Sequence, residues 1–432
     1  MKKAIVIGSG AGGAMIAKEL QDHFQVTILE AGGEFQPFAF SVDKLAGLRK
    51  TGLFLDERMI SMLFPAMRVQ KATSDMVMVH GRCTGGTTTL ATGSALRYDK
   101  GLLKLGIHLD EEFEELAQEV PLSTDHEKYW SSQTKALFDA CVQLGFQPAP
   151  TGKLVDFDRC VHCGRCVLGC RTGAKWDSRR LLTESIEKGA VLKTNCKVTK
   201  LGIDRNDNTV HTVYAKEGGK QTTYSADLVV LAAGGLGTPI VLEHSGITCE
   251  ATLFVDPVLC VAAQVPEAGQ DHHIPMPFVM QRDGYMLSPY MDYLSFFFNK
   301  SWRLPSRNIL SIMIKLSDSS FGASRSSKIE KELTLTDQER LKAGVSDCKA
   351  ILGKMGVAES DIFLGTLNAG HPGGMLPLTS EEQKSFHNRR LPENLYIADA
   401  TLLPESMGNP PIWTILALAK RIAKVCTATI TL

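Results

Sequence analysis

Apolar and polar positions alternate along the chain in blocks that predict its elements. An apolar run, Ala4 to Ile7, leads into Gly8-Ser9-Gly10-Ala11-Gly12-Gly13 and then a helical pattern from Ala14 to Leu20. A second apolar stretch, Gln25 to Leu29, ends in Glu30. Strand, glycine turn, helix and strand is the opening of a nucleotide-binding βαβ unit. Residues 188–247 predict a β-meander: Leu192 to Ile203, a turn at Arg205 to Asn208, Thr209 to Lys216, and a turn at Gly218-Gly219. An apolar strand from Ala226 then runs into Gly234-Gly235 and an apolar helix that stops at Ser245-Gly246. Thr336 to Glu339 reads as a capping box, and Leu341, Val345, Cys348, Leu352 and Met355 make one apolar face of the helix behind it. Tyr290 to Phe298 fits a central strand or the lining of a pocket. Phe35, Phe38, Phe40, Leu53, Phe54, Met59, Met62 and Phe64 fit core packing or a lid. No internal repeat interrupts this order.

Composition narrows the class. The 432 residues are 44% hydrophobic and 22% charged, an ordinary folded protein large enough for more than one domain. Lys plus Arg and Asp plus Glu balance at 47 each, which argues against nucleic acid or an anionic membrane as partner. The start, Met1-Lys2-Lys3 and an apolar run, is too glycine-rich for a signal peptide. No apolar run reaches the length of a transmembrane helix. Eleven cysteines are an odd number, and four are clustered, which points to metal or redox work in a cytoplasmic protein.

Three patterns carry chemistry. Gly8, Gly10 and Gly13 match G-x-G-x-x-G between strand and helix. The first allows the turn, the second lets backbone approach a pyrophosphate, and the third lets helix pack on strand. Glu30 can accept hydrogen bonds from a ribose diol. The fingerprint alone leaves NAD and FAD open; a meander followed by a strand ending in bare backbone suits a flavoprotein. The second pattern is Cys160, Cys163, Cys166 and Cys170, spaced C-x2-C-x2-C-x3-C as in ferredoxin loops that hold a [4Fe–4S] cluster. Zinc is the rival, although its sites usually set two knuckles further apart. Cys170 is the expected fourth ligand, with Cys83, Cys196 and Cys260 as distant substitutes. The third pattern, His272-His273, reads as a polar loop, because neighbours cannot share one strand face.

The chain resembles the glucose-methanol-choline (GMC) oxidoreductases. The resemblance rests on the opening fingerprint through Gly33, on Gly81-Arg82-Cys83-Thr84-Gly85-Gly86-Thr87-Thr88, and on Leu228 to Ile247. It continues in Gly370-His371-Pro372-Gly373-Gly374, in Asn394 to Pro404, and in Gly408-Asn409-Pro410-Pro411 with the helix after it. It implies an α/β fold: a Rossmann-like FAD-binding domain from discontinuous segments (1–100, 186–250 and 385–432), a helical insertion with the cysteine loop (101–185), and an α+β substrate domain with an antiparallel sheet (251–384). It implies Gly8, Gly10 and Gly13 at the FAD pyrophosphate, Glu30 at the ribose and Val198 by the adenine. Gly85, Gly86, Thr87 and Asp399 would line the flavin half. Where the family supplies an Asn after the second glycine loop, this chain has Ala91-Thr92. His80 reads as a surface residue rather than a flavin tether.

The same resemblance makes His371 the base and Asn409 the holder of a substrate hydroxyl, in an enzyme that oxidises an alcohol. A neutral imidazole suits that task. Relatives without iron also carry cysteines near this region, so the quartet is open to a purely structural reading. With a cluster, electrons would pass singly to a ferredoxin-like or quinone-linked partner. The rivals are a cluster-fed reductase of an enone or ketone, and an electron-transfer subunit without alcohol chemistry.

Overall fold

Two sheets organise the chain in the computed structural model, which describes residues 1–431 apart from 41, 43, 44, 46, 48–55, 205 and 327, and not the side chains of 58, 430 and 431. Leu53 and Phe54 lie outside the described residues. The first sheet is parallel, in the order Leu395–Ile397, Leu228–Leu231, Lys2–Ile7, Phe24–Leu29, Val191–Lys193. Ala4 stands opposite both Leu228 and Val26, and all of Leu228–Leu231 is buried, as covering on both faces requires. The helix Ala11–Glu19 packs on the C-terminal helix Ile412–Thr431, which closes one face. Distant segments thus meet in one layer, and the meander follows as Cys196–Asp204, Thr209–Glu217 and Lys220–Tyr224.

The second sheet is almost wholly antiparallel. Its order is Met67–Lys71, Val77–Gly81, Asn368–Ala369, Pro257–Gln264, Ile309–Leu316, Tyr285–Pro289, Phe278–Arg282, Ala149–Pro150, and Ile362–Leu364 also pairs with Pro257–Gln264. Only Val77–Gly81 beside Asn368–Ala369 is parallel among its pairings. Residues 67–81, drawn within the first nucleotide segment on sequence, therefore hydrogen-bond into the other sheet. The strand Ile309–Leu316 is buried along its whole length, Lys315 included.

Two expectations change at the level of elements. Tyr293–Phe298 is a helix rather than a strand, because the Asp292 side chain accepts from the Leu294 N–H at 3.0 Å and caps it. The strand lies earlier, at Tyr285–Pro289. The capping box is Thr334 with Asp337, not Thr336 with Glu339: Thr334 is extended, while Thr336 already lies inside the helix Leu335–Lys354. The apolar face of that helix packs on the second sheet, with Cys348 and Leu352 buried.

Candidate active site

One cavity of about 1110 Å³ is walled by both sheets. It runs from Val198 past Glu30 and the two glycine loops to His371 and the half-buried rings of Phe297 and Phe298. The volume lies just above the usual range for small-molecule sites, roughly 300–1,000 Å³.

The first glycine loop is shaped by what each glycine would strike. A Cβ on Gly8 would sit 2.3 Å from the Ala232 carbonyl oxygen, and one on Gly13 2.1 Å from that of Gly8. A Cβ on Gly12 would lie 1.7 Å from the Ala398 carbonyl oxygen, so this residue, unremarked within the motif, sets how closely the helix packs on the Leu395–Ile397 strand. Gly10 is different. Nothing lies within 4 Å of its Cβ position, and Gly86 of the second loop approaches its Cα so closely that a Cβ on Gly86 would come within 2.9 Å. The helix Ala11–Glu19 has no side-chain cap at Gly10, so free backbone N–H groups and the positive end of the dipole face the cavity. Room without side chains, beside a helix N-terminus, is what a pyrophosphate needs. The site fits a dinucleotide.

Glu30 ends the second strand on the cavity wall and accepts from the N–H groups of Ser9 (3.1 Å) and Gly32 (2.7 Å) and from the Ser9 hydroxyl (2.5 Å). Burial raises its pKa against those bonds. Gly85, at φ +86°, starts the turn that carries Gly86, and the Thr87 hydroxyl accepts from the Gly81 N–H at 3.0 Å. Asp399 ties two loops together, accepting from Gly234 N–H (2.9 Å), Thr401 N–H (2.8 Å) and the Thr238 hydroxyl (2.5 Å). Gly86, Thr87, Val198, Asp399, Ala91 and Thr92 all line the cavity.

His371 faces the cavity from the opposite side with Lys315, a residue the sequence reading passed over. Lys315 Nζ and His371 Nδ1 are 2.5 Å apart, and Asp256 Oδ2 lies 3.4 Å from each. The other Asp256 oxygen accepts from the Ser406 hydroxyl at 2.5 Å and the Gly408 N–H at 3.2 Å. Burial first, and then the Lys315 charge, push His371 down to about 4, so its ring is neutral at physiological pH. Burial disfavours the Asp256 charge, but Lys315 and His371 outweigh it and hold that carboxyl low. A lysine inside the mostly apolar Ile-Leu-Ser-Ile-Met-Ile-Lys-Leu strand was the available signal, since a buried cation demands a partner.

Asn409 does not join this group. Its amide oxygen accepts from Gln281 at 2.8 Å and its amide N–H donates to the Met407 carbonyl at 3.1 Å, and its side chain is absent from the cavity wall that Pro410 and Pro411 form. His80 is not a surface residue. It lines the cavity beside Arg68 and Arg82, its Nδ1 is buried without a partner, and burial followed by the two arginines lowers its pKa to about 4.

The four clustered cysteines sit in a loop with one short turn, Cys166–Leu168, and Val167 and Leu168 themselves line the cavity. Each thiol is half-buried. Burial raises Cys170, but the Lys175 N–H at 3.4 Å and bonds from Thr172 and Ala174 bring it below the ordinary thiol value. Two buried lysines stand behind the loop. Lys153 donates to Thr92 O, Ser94 Oγ and Pro275 O, and Lys175 to the carbonyls of Thr88, Thr89 and Ala91. Each ammonium has its three hydrogen bonds on neutral oxygens, and the thiols of Cys160 and Cys166 oppose the burial of Lys153, as those of Cys166 and Cys170 do for Lys175. Among the described residues, the only group of three or more metal-type side-chain atoms gathered within 4.8 Å of one another is that of Asp204, Asp207 and His211, on an exposed turn. The quartet is thus more open than a zinc tetrahedron, whose sulfurs stand roughly 3.8 Å apart at Zn–S bonds of about 2.3 Å. Cys83 lies instead beside Thr89, Cys196 beside Tyr224, and Cys260 in the middle of a strand.

A dinucleotide cradle on a parallel sheet, facing a histidine on a loop beside a largely antiparallel one, defines a nucleotide-dependent oxidoreductase. The family model described as GMC oxidoreductase matches residues 3–272, and the chain belongs to that family. It is a GMC-type flavin oxidoreductase, and FAD is its cofactor. An uncharacterised protein of Methanocaldococcus jannaschii is 26% identical over 425 residues, covering 97% of this chain and 98% of that one. A long-chain-alcohol oxidase of Arabidopsis thaliana is 25% identical over 290 residues, 61% of this chain but only 37% of the plant protein. Pyridoxine 4-oxidase from Mesorbium loti shares the fold at a TM-score of 0.72 with 16% identity, covering 98% of this chain and 99% of that one. Among the described residues no helix is long and apolar enough to cross a membrane.

Proposed function

We propose that the enzyme is a dehydrogenase that oxidises a C–OH group of a bulky, apolar alcohol, or runs the reverse reduction, with His371 as the residue that handles the hydroxyl proton. The observation that carries this reading is the neutral His371 ring on the wall of the cavity that the glycine loops leave open. FAD bound there supplies the two-electron, hydride-accepting half of the reaction. Gly8, Gly10, Gly86 and Thr87 would hold it, with Gly13 and Gly85 shaping the two loops behind them, Glu30 at the ribose, Val198 by the adenine and Asp399 bracing the flavin half. One part of the wall is apolar: Phe64, Leu294, Phe297 and Phe298 offer contact to a hydrocarbon body and exclude water there. The name of the plant relative, a long-chain-alcohol oxidase, agrees with that chemistry. Asn409 holds the Gly408–Pro411 turn in place through Gln281 instead of binding the hydroxyl. His371→Gln should lower kcat by about 10²–10⁴-fold while flavin content stays intact. Equal turnover in that variant would remove His371 from the reaction.

Cys160, Cys163, Cys166 and Cys170 serve in this reading as ligands of a [4Fe–4S] cluster that passes electrons singly to a redox partner, in a cytoplasmic setting. Lys153 and Lys175 are fully buried ammonium groups whose direct hydrogen bonds all go to neutral oxygens, and four thiolates around a cluster would supply negative charge beside them. A cube spreads its thiolates over four irons, which suits a quartet wider than a single-ion site. Val167 and Leu168 join the loop directly to the flavin cavity. Anaerobically purified protein should show broad absorbance beneath the flavin bands that bleaches with dithionite, and about four irons per chain. A pure flavin spectrum without iron would remove the cluster and leave the alcohol chemistry standing.

A further inference from the structure

We propose that Lys315 is a positioning residue that decides which ring nitrogen of His371 carries the proton, leaving Nε2 as the N–H offered to the reacting oxygen. The inference rests on the reading of His371 given above and names how that residue is set.

The argument starts from donors and acceptors. An ammonium has three N–H donors and no lone pair. Lys315 lies 3.4 Å from the Asp256 carboxylate, which Ser406 and Gly408 also bind, so the pair is an ammonium facing a carboxylate. Its contact to His371 Nδ1, at 2.5 Å, then needs that nitrogen as acceptor. A neutral ring has one N–H, and with Nδ1 accepting it belongs on Nε2. Nε2 has no partner among the described residues, while the His371 side chain keeps 24% exposure toward the cavity. In a simple Asp–His pair the carboxylate would hold an Nδ1–H and leave Nε2 basic. Here Asp256 is 3.4 Å from Nδ1 and the lysine stands closer.

The proton balance follows. To protonate a carbonyl oxygen, Nε2 gives up its proton while Nδ1 takes one from Lys315, leaving a neutral ring and a free amine. The hydride half comes from reduced flavin. To oxidise an alcohol the same path runs backward: the hydroxyl proton goes to Nε2 and the Nδ1 proton to the Lys315 amine, so Lys315 must first be deprotonated. Reduction therefore falls, and oxidation rises, as Lys315 loses its proton. The titratable groups facing Lys315 are Asp256 before the Pro257–Gln264 strand, His371 on its loop, and Asp318 beyond its own strand, which Lys331 neutralises at 2.7 Å.

The test reads the ring itself. FAD-loaded enzyme with ¹⁵N-labelled histidine is titrated by NMR, and H371Q identifies the resonance. Wild-type His371 should show the Nε2–H form, neutral down to about pH 5. In K315M the proton should move to Nδ1, facing Asp256, and the titration midpoint should rise by at least about one unit. K315Q, whose amide still donates to Nδ1, should keep the Nε2–H form while its midpoint rises, and it serves if K315M fails to fold. An Nδ1–H form in the wild type, or a tautomer and midpoint that neither variant moves, would overturn the proposal. Because no turnover is measured, failure of the alcohol reading leaves this result intact, and the reverse also holds.

Discussion

At the nucleotide end of the cavity the chain makes room by leaving side chains out. At the His371 end it fills the space with charge. Gly8, Gly12 and Gly13 bring a loop, a helix and a strand within van der Waals reach while Gly10 leaves open space, so backbone rather than side chains faces the cavity. Across the cavity, Lys315 with Asp256 is a buried ion pair between distant segments, and Lys331 with Asp318 is a second buried pair beside it. The first arrangement tolerates almost no added volume, and the second almost no loss of a partner. That difference can be broken from either side.

The largest effect should come from Gly12→Ala. With 1.7 Å to the Ala398 carbonyl, the methyl group should cost more than about 4 kcal/mol and leave little folded protein in a thermal melt. Lys331→Met comes next: it leaves Asp318 charged and buried, an expected loss of about 3–5 kcal/mol in denaturant unfolding. Gly10→Ala sharpens the comparison, because its Cβ meets nothing within 4 Å. It should keep stability within about 0.5 kcal/mol but bind FAD at least about tenfold more weakly, read from flavin fluorescence on titration. A fold as damaged as that of Gly12→Ala would show the open space to be structural.

The two ends also differ in the sign of their response to pH. His371 and His80 are held near 4 when folded against an ordinary 6.5, so the unfolded chain binds more protons and stability falls as pH drops from 6.5 toward 4. Glu30 and Asp399, whose folded pKa values are raised, contribute stability at low pH that is lost as pH rises through those values. Urea midpoints of H371Q and H80Q should be less acid-sensitive than wild type; an unchanged slope would place the titrating groups elsewhere. The smallest effect belongs to Asn409→Ala, with kcat lowered less than about tenfold, since its amide is engaged by Gln281 and Met407. A loss as large as that of His371→Gln would return Asn409 to the chemistry.

The nucleotide end was legible because its signals are local. Strand, glycine turn, helix and acid all lie between Ala4 and Glu30, and the meander is a run of neighbours. The helix at Tyr293–Phe298 was missed because aromatic residues favour strands and the Asp292 cap is a single residue. Thr336 was preferred to Thr334 because both precede an acidic residue at helix spacing, and only the backbone angle separates them. Gly12 looked like filler in the motif, since its reason is a carbonyl at residue 398.

The sequence by itself determined the nucleotide-binding strand, turn and helix, which follow from short motifs whose residues act on their own backbone, and its resemblance to one family pointed to FAD and to His371. Only the tertiary structure decided that Lys315 and Asp256 stand at His371, that Asn409 turns away, that His80 is enclosed, and that Lys153 and Lys175 lie behind the cysteine loop. Each of these is a charge or dipole whose meaning depends on what it faces, and at the His371 end those groups are remote in sequence: Lys315 is 56 residues and Asp256 115 residues from His371, and Gln281 is 128 residues from Asn409.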